Sequence, residues 1–203
     1  MTSYTVDTII DKIQRPVAQR LSGLLKLHNL EKLPDQVLLV AYKKEKILEL
    51  RYKAEQKWKL FKQYPLTAYS GKLGPKLNEG DKQIPEGIYN IEYLNPNSSF
   101  YLSMKINFPN TFDLTQAKKE NRNNPGSDIF IHGKNRSIGC LAIGDQAVEE
   151  VFYVASQRRQ NTIPVWIFPT NDLSTNWVQL AQIKPLWLGT LYTELKNKLK
   201  TLD

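Results

Sequence analysis

Apolar residues in the first 30 positions recur every three or four residues, which is the spacing of one face of an α-helix. They are Ile10, Ile13, Val17, Leu21, Leu24 and Leu25. Proline lacks a backbone N–H and fits the first turn of a helix. Pro16 therefore predicts two helices, one that ends near Gln14 and one that begins at Pro16 and stops around His28 or Asn29. Residues 31–35 should then form a linker.

From residue 37 to residue 69 the pattern changes to short apolar runs and to alternation of apolar and polar residues, which indicates β-strands. Residues 37–42 are an apolar run and residues 47–52 alternate, so together they predict a hairpin across the polar turn at 43–46. Further strands are predicted at 57–61 and at 66–69.

Residues 70–87 are rich in glycine, proline, lysine and aspartate and predict a long loop. A loop of this length inside a compact domain usually has a function of its own or is mobile. Two interpretations stay open: a lid or wall over a binding site, or a rigid connection that Pro75 and Pro85 fix.

The next segment contains a second hairpin and the start of a possible site. Residues 88–94 and 100–106 predict the hairpin, whereas residues 108–126 are polar and predicted to be irregular. A short buried strand at 129–131 should end at His132.

The last third of the chain is predominantly helical in its pattern. A helix should follow Cys140 with Asp145 as its N-cap, and a strand is predicted at 163–168. An amphipathic helix should begin near Pro185. Its apolar face would carry Leu188, Leu191, Tyr192, Leu195 and Leu199, with Trp187 docking it onto the domain.

Helices confined to the ends of a mostly antiparallel sheet indicate the α+β class. We therefore expect a mostly antiparallel, β-sandwich-like core with helical extensions at both termini and one helix after the cysteine. The pattern divides the chain into an N-terminal helical extension at residues 1–35, a central domain at 36–172 and a C-terminal helical extension at 173–203.

The composition excludes several classes of protein. A single cysteine excludes an intramolecular disulfide framework and thiol-rich zinc sites, and we expect neither a metal nor a cofactor. The formal net charge is +8, but the lysines are scattered and no nucleic-acid-binding motif occurs, so we expect no nucleic-acid partner. A basic surface would instead attract an anionic polymer or a carboxylate-bearing substrate.

Membrane and export signals are not evident in this sequence. It contains no apolar run long enough to span a bilayer, so we expect no transmembrane segment. The first 16 residues lack the basic and apolar regions of a signal peptide. Work outside the cytoplasm would therefore require earlier processing or another export signal.

The strongest chemical signal is residues 131–140, which hold the only cysteine and one of the two histidines. An isolated cysteine is more often a core residue than a nucleophile. Here Gly139 directly precedes Cys140 and gives the backbone freedom for a close approach. Cys140 also lies between a predicted strand and a predicted helix, where backbone N–H groups are available. His132 is near enough in sequence to fold back onto the thiol, so the segment predicts thiolate chemistry.

These residues resemble the catalytic motif of the L,D-transpeptidase catalytic domain family, also called the YkuD-type family, in which a His-Gly pair precedes Ser-His-Gly-Cys or a variant. The short spacer and the Ser-Ile-Gly-Cys ending resemble the YafK-like branch of Gram-negative bacteria. The segments GPKLNEGDKQIPEGIY and NPGSDIFIHG agree with that branch as well. The resemblance covers about residues 37–168 and implies that residues 36–172 form a catalytic domain with a YkuD-type core.

The resemblance implies a role for each residue of the motif. Cys140 would be the nucleophile, His132 the general base, and the backbone carbonyl of Gly133 would orient the imidazole. The backbone N–H groups of Gly139 and Cys140 would form the oxyanion hole. Ser137 would orient the cysteine loop or merely cap it.

One position departs from the more common motif, because Ile138 stands where a second histidine is usual. His132 would then be the sole base, since His28 is predicted to be a surface or interface residue. Arg136, Lys76 and Lys82 are either contacts for substrate carboxylates or solvated charges, and the sequence leaves both open.

The implied function is a cysteine-dependent L,D-transpeptidase or L,D-peptidase of peptidoglycan. The thiolate would attack the carbonyl at the L-centre of the stem-peptide diamino acid and form a thioester acyl-enzyme. An amine acceptor gives a cross-link or protein attachment, whereas water gives hydrolysis, including release of a peptidoglycan-linked lipoprotein. The partners would be stem peptides and such a lipoprotein, in the periplasm or cell envelope. The alternative is a non-catalytic peptidoglycan-binding module on the same fold.

Overall fold

The computed structural model describes residues 3–158 and 162–202, which contain five helices and eight strands. The helices are α1 Val6–Leu27, α2 Thr111–Lys119, α3 Asp145–Ser156, α4 Trp177–Leu180 and α5 Leu188–Leu199. The strands are β1 Val37–Tyr42, β2 Ile47–Ala54, β3 Lys57–Pro65, β4 Gly87–Ser98, β5 Tyr101–Ile106, β6 Phe130–His132, β7 Leu141–Ala142 and β8 Pro164–Phe168.

The strands form one sheet in the order β3-β2-β1-β8-β4-β5-β6-β7. Neighbours are antiparallel except for the pairs β1–β8 and β6–β7, which are parallel. Strand β4 joins the two halves, because its first four residues pair with β8 and the remainder pairs with β5. The expected α+β class with a mostly antiparallel core is confirmed.

Strand β1 is buried on both faces and lies at the centre of the core. Val37, Leu39 and Ala41 belong to a cluster that includes α1 and α3. The residues between them pack on the other face with α4 and α5. Burial on both faces explains why this strand is a continuous apolar run and not an alternating one.

The predicted helix break between Gln14 and Pro16 is wrong, because α1 is one helix with Pro16 inside it. The helix begins at a capping box between Thr5 and Thr8. Its buried face consists of Ile9, Ile13, Val17 and Leu21. Burying each such side chain contributes about 1.5–3 kcal/mol. Together they outweigh the cost of an interior proline, which is about 3 kcal/mol.

The strand predicted at residues 66–69 is also wrong. Ala68 forms only an isolated bridge with Ala142 of β7. The backbone N–H of Thr67 donates to the carbonyl of Ala142 at 2.8 Å. Because β7 has only two residues, it cannot support a longer ladder with this segment.

Residues 108–126 are not irregular throughout, as predicted, because they contain helix α2. Its N-cap is Asn110, whose side chain accepts from the backbone N–H of Asp113, while the Asp113 carboxylate accepts from the backbone N–H of Asn110. This reciprocal pattern is a capping box, a signal that the sequence carries and that a search for apolar stripes misses.

Helix α3 begins where expected, but its N-cap is Gly144 and not Asp145. Gly144 has a φ of +81°, which favours glycine. The Asp145 side chain instead accepts from the backbone N–H of Lys134 at 2.7 Å. Asp145 thus ties the start of α3 to the segment that follows His132.

The amphipathic C-terminal helix is confirmed as α5, and all five residues of its predicted apolar face are buried. Trp187 docks it: the indole N–H donates to Glu120 at 2.9 Å, and the ring packs edge-on against Phe112. Helix α1 packs on α3, and α5 packs on the sheet. The boundaries at residues 35 and 172 stay a prediction.

Candidate active site

The pairing of β6 with β7 sets the relation between His132 and Cys140. The strands are parallel, with Ile131 opposite Leu141 and His132 opposite Ala142. Ile131 and Leu141 are fully buried in the core. Cys140 is the residue directly before β7, so this register brings the cysteine loop next to the strand that ends at His132. Alternation along β6 directs the His132 side chain to the face opposite that of Ile131.

The imidazole of His132 is buried, with 2% of the residue exposed. Its Nδ1 lies 2.7 Å from the carbonyl oxygen of Gly133. A carbonyl only accepts hydrogen bonds, so Nδ1 carries the proton and Nε2 keeps a free lone pair. Burial lowers the pKa of His132, against an opposing effect of the bond to Gly133. The imidazole is therefore a neutral proton acceptor. The ring of Phe100 packs against it, with 4.6 Å between the two ring centroids.

Gly133 stands where no side chain fits. A Cβ atom there would lie 2.6 Å from the carboxylate of Asp145 and 2.8 Å from the carbonyl oxygen of Phe100. Its backbone N–H donates to the carbonyl of Leu102 at 3.1 Å. Close packing around Gly133 and the hydrogen bond of its N–H group thus fix the position of the carbonyl that holds the imidazole.

The thiol of Cys140 is half-buried and lies 3.7 Å from the carbonyl oxygen of Asp128, to which it donates. Burial raises the pKa of Cys140, and the carboxylate of Asp128 raises it further. A hydrogen bond with the backbone of Phe130 and the positive charge of Lys76 act in the opposite direction. The net effect is a raised pKa, so the resting thiol is protonated at neutral pH.

The loop before the cysteine is organised by the hydroxyl of Ser137. It donates to the carbonyl of Cys140 at 2.7 Å and accepts from the backbone N–H of Cys140 at 3.0 Å and of Gly139 at 3.3 Å. Gly139 has a φ of +119°, and a Cβ atom there would lie 3.0 Å from the carbonyl oxygen of Gln83. The two N–H groups expected to bind an oxyanion therefore bond to Ser137 in this structure.

The long loop of residues 70–86 forms a wall beside the cysteine loop. Its anchor is a fully buried ion pair between Glu86 and Lys43, the residue directly after β1, with Nζ 3.0 Å from Oε1. The ammonium also donates to the carbonyls of Gly74 and Ile84, and Glu86 accepts from the Tyr192 hydroxyl at 2.6 Å. These contacts favour the interpretation as a rigid connection over that as a lid, with the Lys43–Glu86 pair as an anchor in addition to Pro75 and Pro85.

The three basic candidates lie in different environments. The ammonium of Lys76 is buried and paired with Asp81 at 2.6 Å. Lys82 is exposed, and its backbone packs against Gly139. Arg136 is exposed on the cysteine loop. Only Lys82 and Arg136 therefore present their charge to solvent.

Several contacts of the site could not be read from the sequence. Asp128 accepts a hydrogen bond from the thiol through its backbone carbonyl, and Phe100 packs on the imidazole. Asp128 lies in the segment NPGSDIFIHG, but the motif did not indicate a contact with the thiol, and Phe100 lies in no motif. His28 is half-buried, and its ring contacts those of Tyr52 and Phe61.

Residues 3–158 and 162–202 contain neither a cluster suited to a metal ion nor a helix suited to a membrane. No group of three or more His, Cys, Asp or Glu side chains in these ranges could hold a metal ion. No helix of the described chain has the length and apolar character needed to cross a bilayer.

Comparison with known proteins gives a family match and several relatives. The model of the YkuD family, described as L,D-transpeptidase catalytic domain, matches residues 33–167. YafK of Escherichia coli strain K12 is 31% identical over 158 residues, which are 74% of this chain and 62% of that protein. The chain thus spans less than two thirds of the length of this curated relative.

Solved structures with the same fold include the helical cell shape determining protein Pgp2 from Campylobacter jejuni. Its structure has a TM-score of 0.55 and 16% identity, covering 92% of this chain and 78% of Pgp2. The K307A mutant of Pgp2 gives a TM-score of 0.54 and 21% identity, covering 88% of this chain and 63% of that chain. At such low identity the similarity concerns the fold alone.

Proposed function

The chain belongs to the L,D-transpeptidase catalytic domain family, and on that premise we propose that it is a cysteine-dependent enzyme acting on peptidoglycan stem peptides. Cys140 is the nucleophile and His132 is the general base. The observation that supports the proposal is the parallel register of β6 and β7, which brings Cys140, the residue before β7, next to the strand that ends at His132. The bond from Nδ1 of His132 to the Gly133 carbonyl leaves Nε2 free to accept a proton.

The reaction begins with transfer of the thiol proton to Nε2 of His132. The thiolate attacks the carbonyl carbon at the L-centre of the diamino acid and forms a tetrahedral intermediate with a C–S bond. The imidazolium then returns the proton to the leaving amine as the C–N bond breaks. The product is a thioester on Cys140, with neutral His132 ready to activate the acceptor.

The developing negative charge requires N–H donors, which the proposal assigns to Gly139 and Cys140. Both donors bond to the Ser137 hydroxyl before substrate binds. An oxyanion would replace that hydroxyl as acceptor, and the stronger charge-assisted bonds would favour the exchange. Ser137 then holds the loop through its remaining bond to the Cys140 carbonyl. Loss of one such oxyanion donor typically costs about 3–4 kcal/mol of barrier.

The acceptor decides the outcome of the second step. An amine of a neighbouring stem peptide or of a protein gives transfer, whereas water gives carboxypeptidase or endopeptidase activity. The resemblance of the Ser-Ile-Gly-Cys motif to the YafK-like branch inclines the proposal towards hydrolysis, including release of a lipoprotein from peptidoglycan in the periplasm. Exposed Lys82 and Arg136 are the candidates to meet substrate carboxylates, with buried Lys76 the weakest of the three.

The test is incubation of purified muropeptides, and of sacculi carrying a bound lipoprotein, with the protein and with a Cys140→Ala variant. Mass spectrometry of the products identifies the bond broken and any new linkage. We expect products with the wild-type chain, a trapped thioester on Cys140, and neither with the variant. Identical profiles for the two proteins, with binding of sacculi retained, would support the non-catalytic binding module instead.

A further inference from the structure

Lys76 is an unusual lysine because its side chain is almost completely buried. Only 4% of the side chain is exposed, and its ammonium donates to the carbonyl of Asn78 at 2.9 Å and to Asp81 at 2.6 Å. The Asp81 carboxylate in turn accepts backbone N–H bonds from Leu77, Asn78 and Gln83. The cation is thus held at a fixed position within residues 76–83.

This fixed cation packs directly on the segment that contacts the thiol. A Cβ atom on Gly126 would lie 2.7 Å from Cε of Lys76 and 3.2 Å from its Nζ, so glycine makes room for the lysine. The backbone N–H of Ser127 donates to Glu79 at 3.0 Å, which ties the same two segments together. The next residue, Asp128, receives the thiol hydrogen bond of Cys140.

The charged groups around the thiol act in opposite directions. The ammonium of Lys76 lowers the pKa of Cys140, and the carboxylate of Asp128 raises it. Asp128 is largely exposed and is paired with Lys105, which also contacts Glu92. Solvent screens an exposed charge strongly, whereas a buried charge keeps its effect. His132 is neutral and contributes no charge before the proton moves.

We propose that Lys76 is a positioning residue whose buried ammonium stabilises the Cys140 thiolate and holds residues 126–128 against the sulfur. This role differs from binding a substrate carboxylate, for which the ammonium would have to leave Asp81. The inference rests on the proposed function only in taking Cys140 as the nucleophile.

The experiment measures the rate of Cys140 alkylation by iodoacetamide as a function of pH, without substrate. We compare the wild-type chain with Lys76→Met, Lys76→Arg and Asp128→Asn, after checking each fold by circular dichroism. Lys76→Met should slow alkylation at pH 7 by about threefold to tenfold and move the profile to higher pH. Lys76→Arg should restore most of the rate, and Asp128→Asn should move the profile to lower pH.

If the alkylation profile moves to higher pH with Lys76→Met and to lower pH with Asp128→Asn, the two side chains act through their charges. A purely structural role would not give shifts of opposite sign. The inference is overturned if Lys76→Met matches the wild type, or if Lys76→Met and Lys76→Arg shift alike. If Lys76→Met fails to fold, Asp81→Asn serves as the test in its place. This variant keeps the ammonium of Lys76 but removes its partner carboxylate, so the pH profile of Cys140 alkylation should move to lower pH. An unchanged Asp81→Asn profile would then overturn the inference.

Muropeptide turnover by the same variants separates this inference from the proposed function. A wild-type chain that alkylates normally but converts no substrate refutes the proposed activity and leaves the alkylation result standing. A Lys76→Met variant with normal alkylation and a raised KM would instead assign Lys76 to substrate binding, against the inference.

Discussion

Replacing Lys43 by methionine should lower the free energy of unfolding by about 3–5 kcal/mol. Both side chains of the Lys43–Glu86 pair are fully buried, with 0% exposure, and their charged atoms lie 3.0 Å apart. Removing one partner of a buried pair leaves an uncompensated charge, which costs about 3–5 kcal/mol. The carbonyls of Gly74 and Ile84 also lose their shared donor, so the upper half of that range is expected.

The assay is urea denaturation at neutral pH, followed by tryptophan fluorescence, with the adjacent and exposed Lys44→Met as the matched control. The control should change the free energy of unfolding by less than about 0.5 kcal/mol. Glu86→Gln should destabilise the wild-type chain but stabilise the Lys43→Met chain, because only the second change removes an unpaired charge. Equal destabilisation by Glu86→Gln in both chains would refute the coupling of this pair.

Two further changes test other features of the fold. Gly139→Ala should lower the free energy of unfolding by about 1–3 kcal/mol, because φ is +119° and the added Cβ would lie 3.0 Å from the Gln83 carbonyl oxygen. Gly23→Ala is the control, because this helical glycine has no atom within 4 Å of an added Cβ, and it should stabilise the chain by up to about 1 kcal/mol. Urea denaturation measures both changes. Burial raises the pKa of Asp113 from 3.8 to about 6, so between these values the folded chain holds a proton that the unfolded chain has lost. The free energy of unfolding should therefore fall by about 3 kcal/mol in total as the pH rises from about 3 to 7. Asp113→Asn should flatten this pH dependence, and an unchanged slope would contradict the assignment.

The elements that the sequence predicted correctly are those whose burial produces a regular pattern. Helix α5 buries one continuous apolar stripe, and strand β1 is buried on both faces. In each case the spacing of the apolar residues in the sequence predicts the element. Pro16 led to a wrong prediction, because the tendency of proline to interrupt a helix is outweighed here by packing of α1 against α3 and the sheet. Helix α2 has a weak stripe and depends on polar capping, so its hydrophobic pattern gave no sign of it.

The candidate site was predictable only where its residues are close in the sequence. His132 and Cys140 are eight positions apart, and a strand followed by a short loop brings them together. The contacts of Asp128 with the thiol and of Phe100 with the imidazole depend on backbone geometry that no motif specifies. Lys43 and Glu86 are 43 positions apart, and nothing in the composition indicates that two opposite charges are both buried.

The position of β8 has a consequence for how the protein is made. This strand lies between β1 and β4, although it is synthesised after both of them and after all of β5 to β7. A nascent chain that ends before residue 164 therefore has two unpaired strand edges, and such edges invite pairing with other chains. The hairpin and short strands that carry His132 and Cys140 can assemble earlier from neighbouring segments. During translation the growing chain can thus pass through a stage in which the half that contains His132 and Cys140 is paired while β1 and β4 still lack their shared neighbour, and shielding by a chaperone would matter most then.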